Sequence, residues 1–476
     1  MSTDYHTEYI HGDALHEECG VFGAYSQSGE DIASWVYYGL FSLQHRGQES
    51  GGIAVSENRD IRYYKDMGLV SEVFTPENLD KLHGDIAIGH NRYSTAGSSV
   101  RSNAQPLVTK YVKGQLAIAH NGNLVNAVDL REELEKTGAI FQTTIDSEVI
   151  AYLVARERVR SKSVEEAVAK AMAYIKGAYS LLVMSPRKIV AARDPFGFRP
   201  LVLGKRDDVF VVASETCALD TVGAHFIRNV KPGEIITITE DGVKSNEQYC
   251  GLVTPRRCIF EYIYFARPDS EIDGVSVFES RIEAGRILAK THPADADMVV
   301  GVPESGNAAA MGFALESGIP YGQAFVKNNY VGRTFIKPKQ SAREQSVKLK
   351  LNVLKENVRG KRIIMVDDSI VRGTTSANIV SMLRDAGATE VHVRISSPPF
   401  KYPCYFGTDI PDRDQLIANH LIIDQIRDQM GADSLGYLDC SRMDEMVGGL
   451  TYCDACFTGD YPVAPPTRDI RGDFEA

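Results

Sequence analysis

Ile363-Ile364-Met365-Val366-Asp367-Asp368-Ser369-Ile370-Val371-Arg372-Gly373-Thr374-Thr375 decides how the second half of this chain is read. Four apolar residues make a buried strand, two acids close it, and Gly-Thr-Thr opens a helix. Backbone N–H groups of such a loop, with the helix N-terminus behind them, favour a phosphate, and the threonine hydroxyls add donors. Two carboxylates at a strand's C-terminal end can accept from vicinal ribose hydroxyls and orient Mg²⁺ with its waters. Open α/β sheets bind their ligands at this place. An acidic loop before a capped helix would explain the paired acids alone, but not the whole string.

Working outward, Met298–Val302 is an apolar strand followed by a Gly-containing loop and a helix over about Asn307–Glu316. Arg362–Val366 is a strand, a helix runs on to about Ala386, and Glu390–Ile395 is the next strand. Strand–loop–helix–strand at these lengths is a βαβ unit of a parallel sheet. To about residue 250 the style differs: short β-branched runs, among them Asp85–Gly89, Gln115–Ala119, Ser180–Met184 and Val209–Ala213, are separated by Gly, Asn and Asp turns. Helical periodicity interrupts them at Ala127–Lys136 and Ser147–Arg158. Stacked antiparallel sheets with helices outside are expected there, and a domain boundary near residue 250.

A chain of 476 residues is too long for one ordinary core. Its net charge of −11 argues against nucleic-acid binding, which needs a basic face. No stretch approaches the roughly 20 apolar residues that cross a bilayer. Residues 1–18 are polar and lack the apolar region of a secretory signal, so a cytoplasmic protein is expected. Its eight cysteines are then buried, catalytic or metal-bound. Cys217 and Cys250 best suit small apolar core positions.

In Cys19-Gly20-Val21-Phe22-Gly23 the glycines would leave a thiol accessible at a turn, although a lone cysteine at a strand start is more often core. Other segments alter that balance. Arg92, in His90-Asn91-Arg92-Tyr93-Ser94-Thr95, can clamp a carboxylate with its fork. An Asn121 amide beside the Gly122 N–H makes a plausible oxyanion hole. Asp146 precedes a helical run, where it could cap the helix or bind an ammonium group. Cys453 and Cys456, with Cys258 and Cys404, could form a four-thiolate soft-metal site, and spacing alone does not choose zinc over iron–sulfur.

Glu17-Glu18-Cys19-Gly20-Val21-Phe22-Gly23, Leu43-Gln44-His45-Arg46-Gly47-Gln48-Glu49, Gly89–Tyr93, His120–Leu124 and Asp146-Ser147-Glu148 together resemble the N-terminal-nucleophile glutaminase domain of class II amidotransferases. That resemblance implies a four-layer αββα fold for residues 19–250 and a propeptide at 1–18. It implies Cys19 as nucleophile, Arg92 and Asp146 on glutamine's charged ends, and Asn121 and Gly122 on the oxyanion. The Asp367 string resembles the phosphoribosyl pyrophosphate loop of type I phosphoribosyltransferases, implying a Rossmann-like parallel-sheet domain over 251–476. Ser369, Gly373, Thr374 and Thr375 would then bind that substrate, and Asp367, Asp368 and Ser305 would face Mg²⁺. Lys327, Arg333 and Thr334 would sit on a lid over it. The contexts of Cys258, Cys404, Cys453 and Cys456 are similar to a branch whose thiolates hold a structural [4Fe–4S] cluster.

Only the amidophosphoribosyltransferase family joins the two domains. Membership implies ammonia transfer from glutamine to phosphoribosyl pyrophosphate at the first committed step of purine synthesis. It also implies a homotetramer, feedback inhibition by purine nucleotides such as AMP and GMP, and no nucleic-acid or membrane partner. A non-catalytic purine-sensing regulator and a base-salvage phosphoribosyltransferase with an accessory domain are the competing readings.

Overall fold

Along β1 (Gly20–Ser26) successive side chains go to opposite faces: Val21 and Tyr25 join one buried cluster, Phe22 and Ala24 another. The computed structural model describes residues 19–93, 98–328, 351–410 and 412–466. The leader 1–18 and the lid residues Arg333 and Thr334 fall outside them.

β1 lies inside a seven-stranded sheet of order β11 (His225–Asn229), β9 (Val202–Arg206), β10 (Val209–Ala213), β1, β4 (Ile86–Arg92), β2 (Ser50–Glu57), β3 (Asp60–Met67). A six-stranded sheet runs β13 (Gly242–Asn246), β12 (Ile235–Thr239), β8 (Lys188–Arg193), β7 (Gly177–Ser185), β6 (Gly114–Leu124), β5 (Leu107–Tyr111). Every pairing in both sheets is antiparallel. Val21, Ile88 and Val212 of the first sheet share a core with Ala117, Leu182 and Ile236 of the second. The outer face of the first sheet packs on Val36 and Leu40 of the helix Ala33–Ser42 and on Leu219 of Thr216–Val222. The outer face of the second packs on Leu130 and Leu134 of Ala127–Lys136, Val149 and Leu153 of Asp146–Arg160, and Val168 of Val164–Met172. Ser163 caps that last helix, its hydroxyl accepting from Glu166 N. Helix, sheet, sheet, helix is the expected layering, and each layer follows from the period-2 alternation of the strands.

The other unit is built on a parallel sheet whose strands Met298–Gly301, Arg362–Asp367, Glu390–Ile395 and Ser434–Tyr437 adjoin in chain order. Val300, Met365 and Val391 pack with Ile379 and Leu383 of the helix Thr374–Asp385 and Ile426 of Ile423–Met430.

The compact units divide the chain differently from a single cut near residue 250. Phe278–Pro403 and Ile410–Gly449 form the parallel-sheet unit, while Cys404–Asp409 and the stretch from Leu450 pack with the described residues up to Val277. A parallel bridge of Arg257–Cys258 with Tyr452–Cys453 ties the late chain back. No linear boundary can express such a return. Among the described residues, no helix is long and apolar enough to cross a membrane.

Candidate active sites

Cys19 is buried immediately before β1, and its thiol donates to Tyr93 O at 3.6 Å. Burial pushes that thiol up to about 11, although Arg92 pulls the other way; Glu49 and Asp146 also act on it and raise it further. At neutral pH it is a thiol, and to act as a nucleophile it would need a base. The β1–β4 register, Gly20 opposite Asn91, brings Cys19 alongside the end of β4. There the buried Arg92 guanidinium donates to Glu49 Oε1 at 2.5 Å and to Ser98 O at 3.3 Å.

The motif on β4 is strapped to the motif on β6 by His90, whose Nε2 lies 3.0 Å from His120 O. Burial lowers His90 to about 3, so the ring is neutral, and the carbonyl partner selects the Nε2–H tautomer. One residue beyond His120, the Asn121 side-chain amide is buried with no hydrogen-bond partner for its nitrogen among the described residues. A buried orphan donor costs about 1–3 kcal/mol, and an oxygen placed against it would recover that. Gly122 has φ of 140°, and a Cβ there would stand 2.1 Å from Ala178 O, so only glycine fits.

Asp146 departs from the capping alternative. It is the first residue of its helix, whose cap is Ile145 without a side-chain bond. Its Oδ2 instead accepts from Leu124 N at 2.9 Å, and Oδ1 lies 3.6 Å from His120 Nδ1. Burial would raise this carboxyl, but His120 and the backbone donors outweigh it and hold it below the ordinary range. Asp146 is therefore a buried anion beside the Asn121 strand. Sequence reading missed Glu49, although it lies within a motif already singled out; nothing local marks it as the partner of Arg92.

In the parallel-sheet unit, Asp367 ends its strand and Asp368 follows, both buried. Ser305 Oγ donates to Asp368 Oδ2 at 2.5 Å, Ser369 Oγ donates to Asp368 Oδ1, and Asp368 N donates to Asp367 Oδ1 at 2.9 Å. Ser305 is thereby brought to the acid pair across the strand–helix turn. Gly373, with φ of 85°, is the left-handed residue from which the helix Thr374–Asp385 begins. Burial, and then the Asp368 carboxylate, push Asp367 well above its usual range. Burial raises Asp368 as well, against the donors Ser305 and Ser369. Two adjacent buried carboxylates that repel one another suit a hard divalent cation. Lys327 ends the strand Phe325–Lys327 and lies 3.6 Å from Glu304 Oε1, half exposed.

Cys258 and Cys453 face each other in the two-residue parallel bridge, and Cys456 follows on the short helix Ala455–Thr458. None of the eight cysteines is in a disulfide. Burial pushes Cys453 and Cys456 far up, and each is raised further by the other sulfurs, Cys258 and Cys404 among them. The four thiols occupy one neighbourhood within one unit. Among the described residues, no three His, Cys, Asp or Glu side chains are already gathered at ligating distance. Cys217 is buried as expected, whereas Cys250 is only half-buried.

A glutamine amidotransferase domain family matches residues 90–221. Over 471 residues the chain is 48% identical to the amidophosphoribosyltransferase of Methanocaldococcus jannaschii, covering 95% of this chain and 99% of that protein. It is 50% identical to the Synechocystis amidophosphoribosyltransferase over 462 residues, covering 96% and 93%. The solved Bacillus subtilis glutamine phosphoribosylpyrophosphate amidotransferase, complexed with ADP and GMP, superposes with a TM-score of 0.88 at 46% identity, covering 94% of this chain and 98% of that one.

Proposed function

The chain belongs to the amidophosphoribosyltransferase family, and we propose that it releases ammonia from glutamine at Cys19 and delivers it to phosphoribosyl pyrophosphate at Asp367 and Asp368. The products are 5-phosphoribosylamine, glutamate and pyrophosphate, at the first committed step of purine synthesis. One observation carries this reading: a single chain holds a buried thiol and a buried, orphaned amide donor in one compact unit, and a buried acid pair at the end of a parallel strand in the other. Pyrophosphate release from phosphoribosyl pyrophosphate, with glutamine or with ammonia, tests it. A regulator would turn over neither nitrogen source, and a salvage enzyme would instead consume a free base.

The Cys19 thiolate attacks the side-chain amide, and the charge that develops on oxygen is met by Asn121 Nδ2 and the Gly122 N–H. Arg92 and Asp146 hold the substrate's carboxylate and ammonium. Water then cleaves the thioester to glutamate. Ammonia displaces pyrophosphate from C1 of the ribose, where orientation and charge stabilisation carry the step. Ser369, Gly373, Thr374 and Thr375 would hold the 5-phosphate at the helix N-terminus. Lys327, with Arg333 and Thr334, would cover the pyrophosphate side.

Asp367, Asp368 and Ser305 would hold Mg²⁺, which when bound neutralises charge on the leaving pyrophosphate. Cys258, Cys404, Cys453 and Cys456 would hold a [4Fe–4S] cluster in a structural role. Anaerobically purified protein is accordingly expected to be brown and to contain iron and acid-labile sulfide. Stoichiometric zinc without iron, in protein made with ample iron, would reassign the thiolates to a zinc site. The cysteines pair in no disulfide, which supports a reducing, cytoplasmic setting. The Bacillus subtilis enzyme solved with ADP and GMP supports purine nucleotides as regulators here; a homotetramer is the assembly we propose.

A thiol held at about 11 needs a base. An α-amino group, titrating near about 7.7–8.0, suits the task. It serves only if Cys19 is the first residue of the working enzyme, which makes residues 1–18 a propeptide. Intact mass of active protein should begin at Cys19. Full glutaminase activity with Met1–Glu18 attached would overturn this.

A further inference from the structure

The strand that carries Asn121 and Gly122 is backed by a distant piece of chain. Asn123 Nδ2 donates to Tyr405 O at 3.0 Å. Gly407 presses on Gly122 so closely that a Cβ on Gly407 would stand 3.2 Å from both the Cα and the carbonyl carbon of Gly122. The Gly407 φ of 111° would by itself strain any other residue. Between these two contacts, Phe406 O accepts from Arg199 Nη2 at 2.7 Å, and the Phe406 ring stacks on Phe198 with centroids 4.4 Å apart. The base for that stack is firm: the buried Asp194 carboxylate accepts from the backbone N–H groups of Tyr179, Phe196 and Phe198. Three consecutive residues, Tyr405, Phe406 and Gly407, are thus pinned to the glutaminase layers and meet β6 at Gly122 and Asn123.

We infer that the segment Cys404–Asp409 is a buttress that sets the oxyanion hole, with Gly407 and Asn123 as positioning residues for amide hydrolysis. The inference rests on the reading of Asn121 and Gly122 as oxyanion donors. Such donors act only when aimed at where the oxygen charge develops, and a misplacement of about 1 Å costs about 10²-fold. Gly122 has no side chain through which neighbours could hold it. Its N–H is steered by what touches its backbone, and Gly407 is packed against that backbone.

Gly407→Ala, Asn123→Ala and Asn121→Ala in the full chain test this, with glutamine kinetics, Cys19 alkylation by iodoacetamide and ammonia-dependent synthesis as readouts. Alkylation displaces iodide and forms no oxyanion, so it reports the thiol and not the hole. Gly407→Ala, which crowds Gly122 and strains its own φ, is expected to lower kcat for glutamine hydrolysis about 10-fold, with KM, alkylation and ammonia-dependent synthesis near wild type. Asn123→Ala, which loses one hydrogen bond, is expected to lower kcat about 10-fold. If Gly407→Ala loses alkylation and ammonia-dependent synthesis together, it has misfolded, and Asn123→Ala decides alone. Wild-type kcat in the two buttress variants beside a crippled Asn121→Ala overturns the buttress, as does a loss confined to KM or shared by alkylation. An unaffected Asn121→Ala refutes the oxyanion reading itself.

Discussion

Cys19→Ala is expected to abolish phosphoribosylamine formation from glutamine while leaving formation from added ammonia intact. Removing a covalent nucleophile costs the whole acyl-transfer route, at least about 10⁴-fold, because the remaining oxyanion donors and binding groups cannot form the thioester. The structural cost is small. The thiol's hydrogen bond is a long one, to Tyr93 O at 3.6 Å, and alanine keeps the Cβ. The proposed mechanism assigns ammonia-dependent synthesis to Asp367 and Asp368, which belong to the other compact unit. Measuring both nitrogen sources on one preparation makes the comparison internal. Glutamine-dependent turnover surviving in Cys19→Ala would show that the nucleophile is elsewhere.

Asp367→Asn removes the other half-reaction, and both nitrogen sources should fail together. The loss is expected to be about 10³-fold or more, because the carboxylate proposed to face substrate hydroxyls and a cation is replaced by a neutral amide. Stability should move the opposite way or not at all. Asp367 and Asp368 are both buried, and repulsion between them adds to the burial penalty on Asp367. Neutralising one relieves that repulsion, and an Asn carbonyl can still accept from Asp368 N, as Asp367 Oδ1 does at 2.9 Å. Thermal melting without divalent cation should therefore find the variant at least as stable as the parent protein. Substantial ammonia-dependent synthesis by Asp367→Asn would remove the acid pair from the mechanism.

Periodicity alone determined a good part of this protein. The helix Ala127–Lys136 and the strands Val209–Ala213 and Glu390–Ile395 have in the structure the bounds expected from their sequences. Alternation or a continuous apolar run is a local property, and it survives whatever packs on it. The strand–acid–acid–glycine string likewise declared its own turn, because the residues that build the loop are contiguous. Tertiary structure alone decided the rest. That Asp146 accepts from Leu124 N and does not cap its own helix depended on a strand more than twenty positions earlier in the chain. That Arg92 pairs with Glu49 depended on the β2–β4 register, which sets Ser50 opposite Arg92. The late-chain cysteines pack with the glutaminase layers because Cys258 and Cys453 face each other in a bridge and Tyr405 O meets Asn123. Such contacts join residues whose separation along the chain carries no period, so their partners become visible only once both cores have formed.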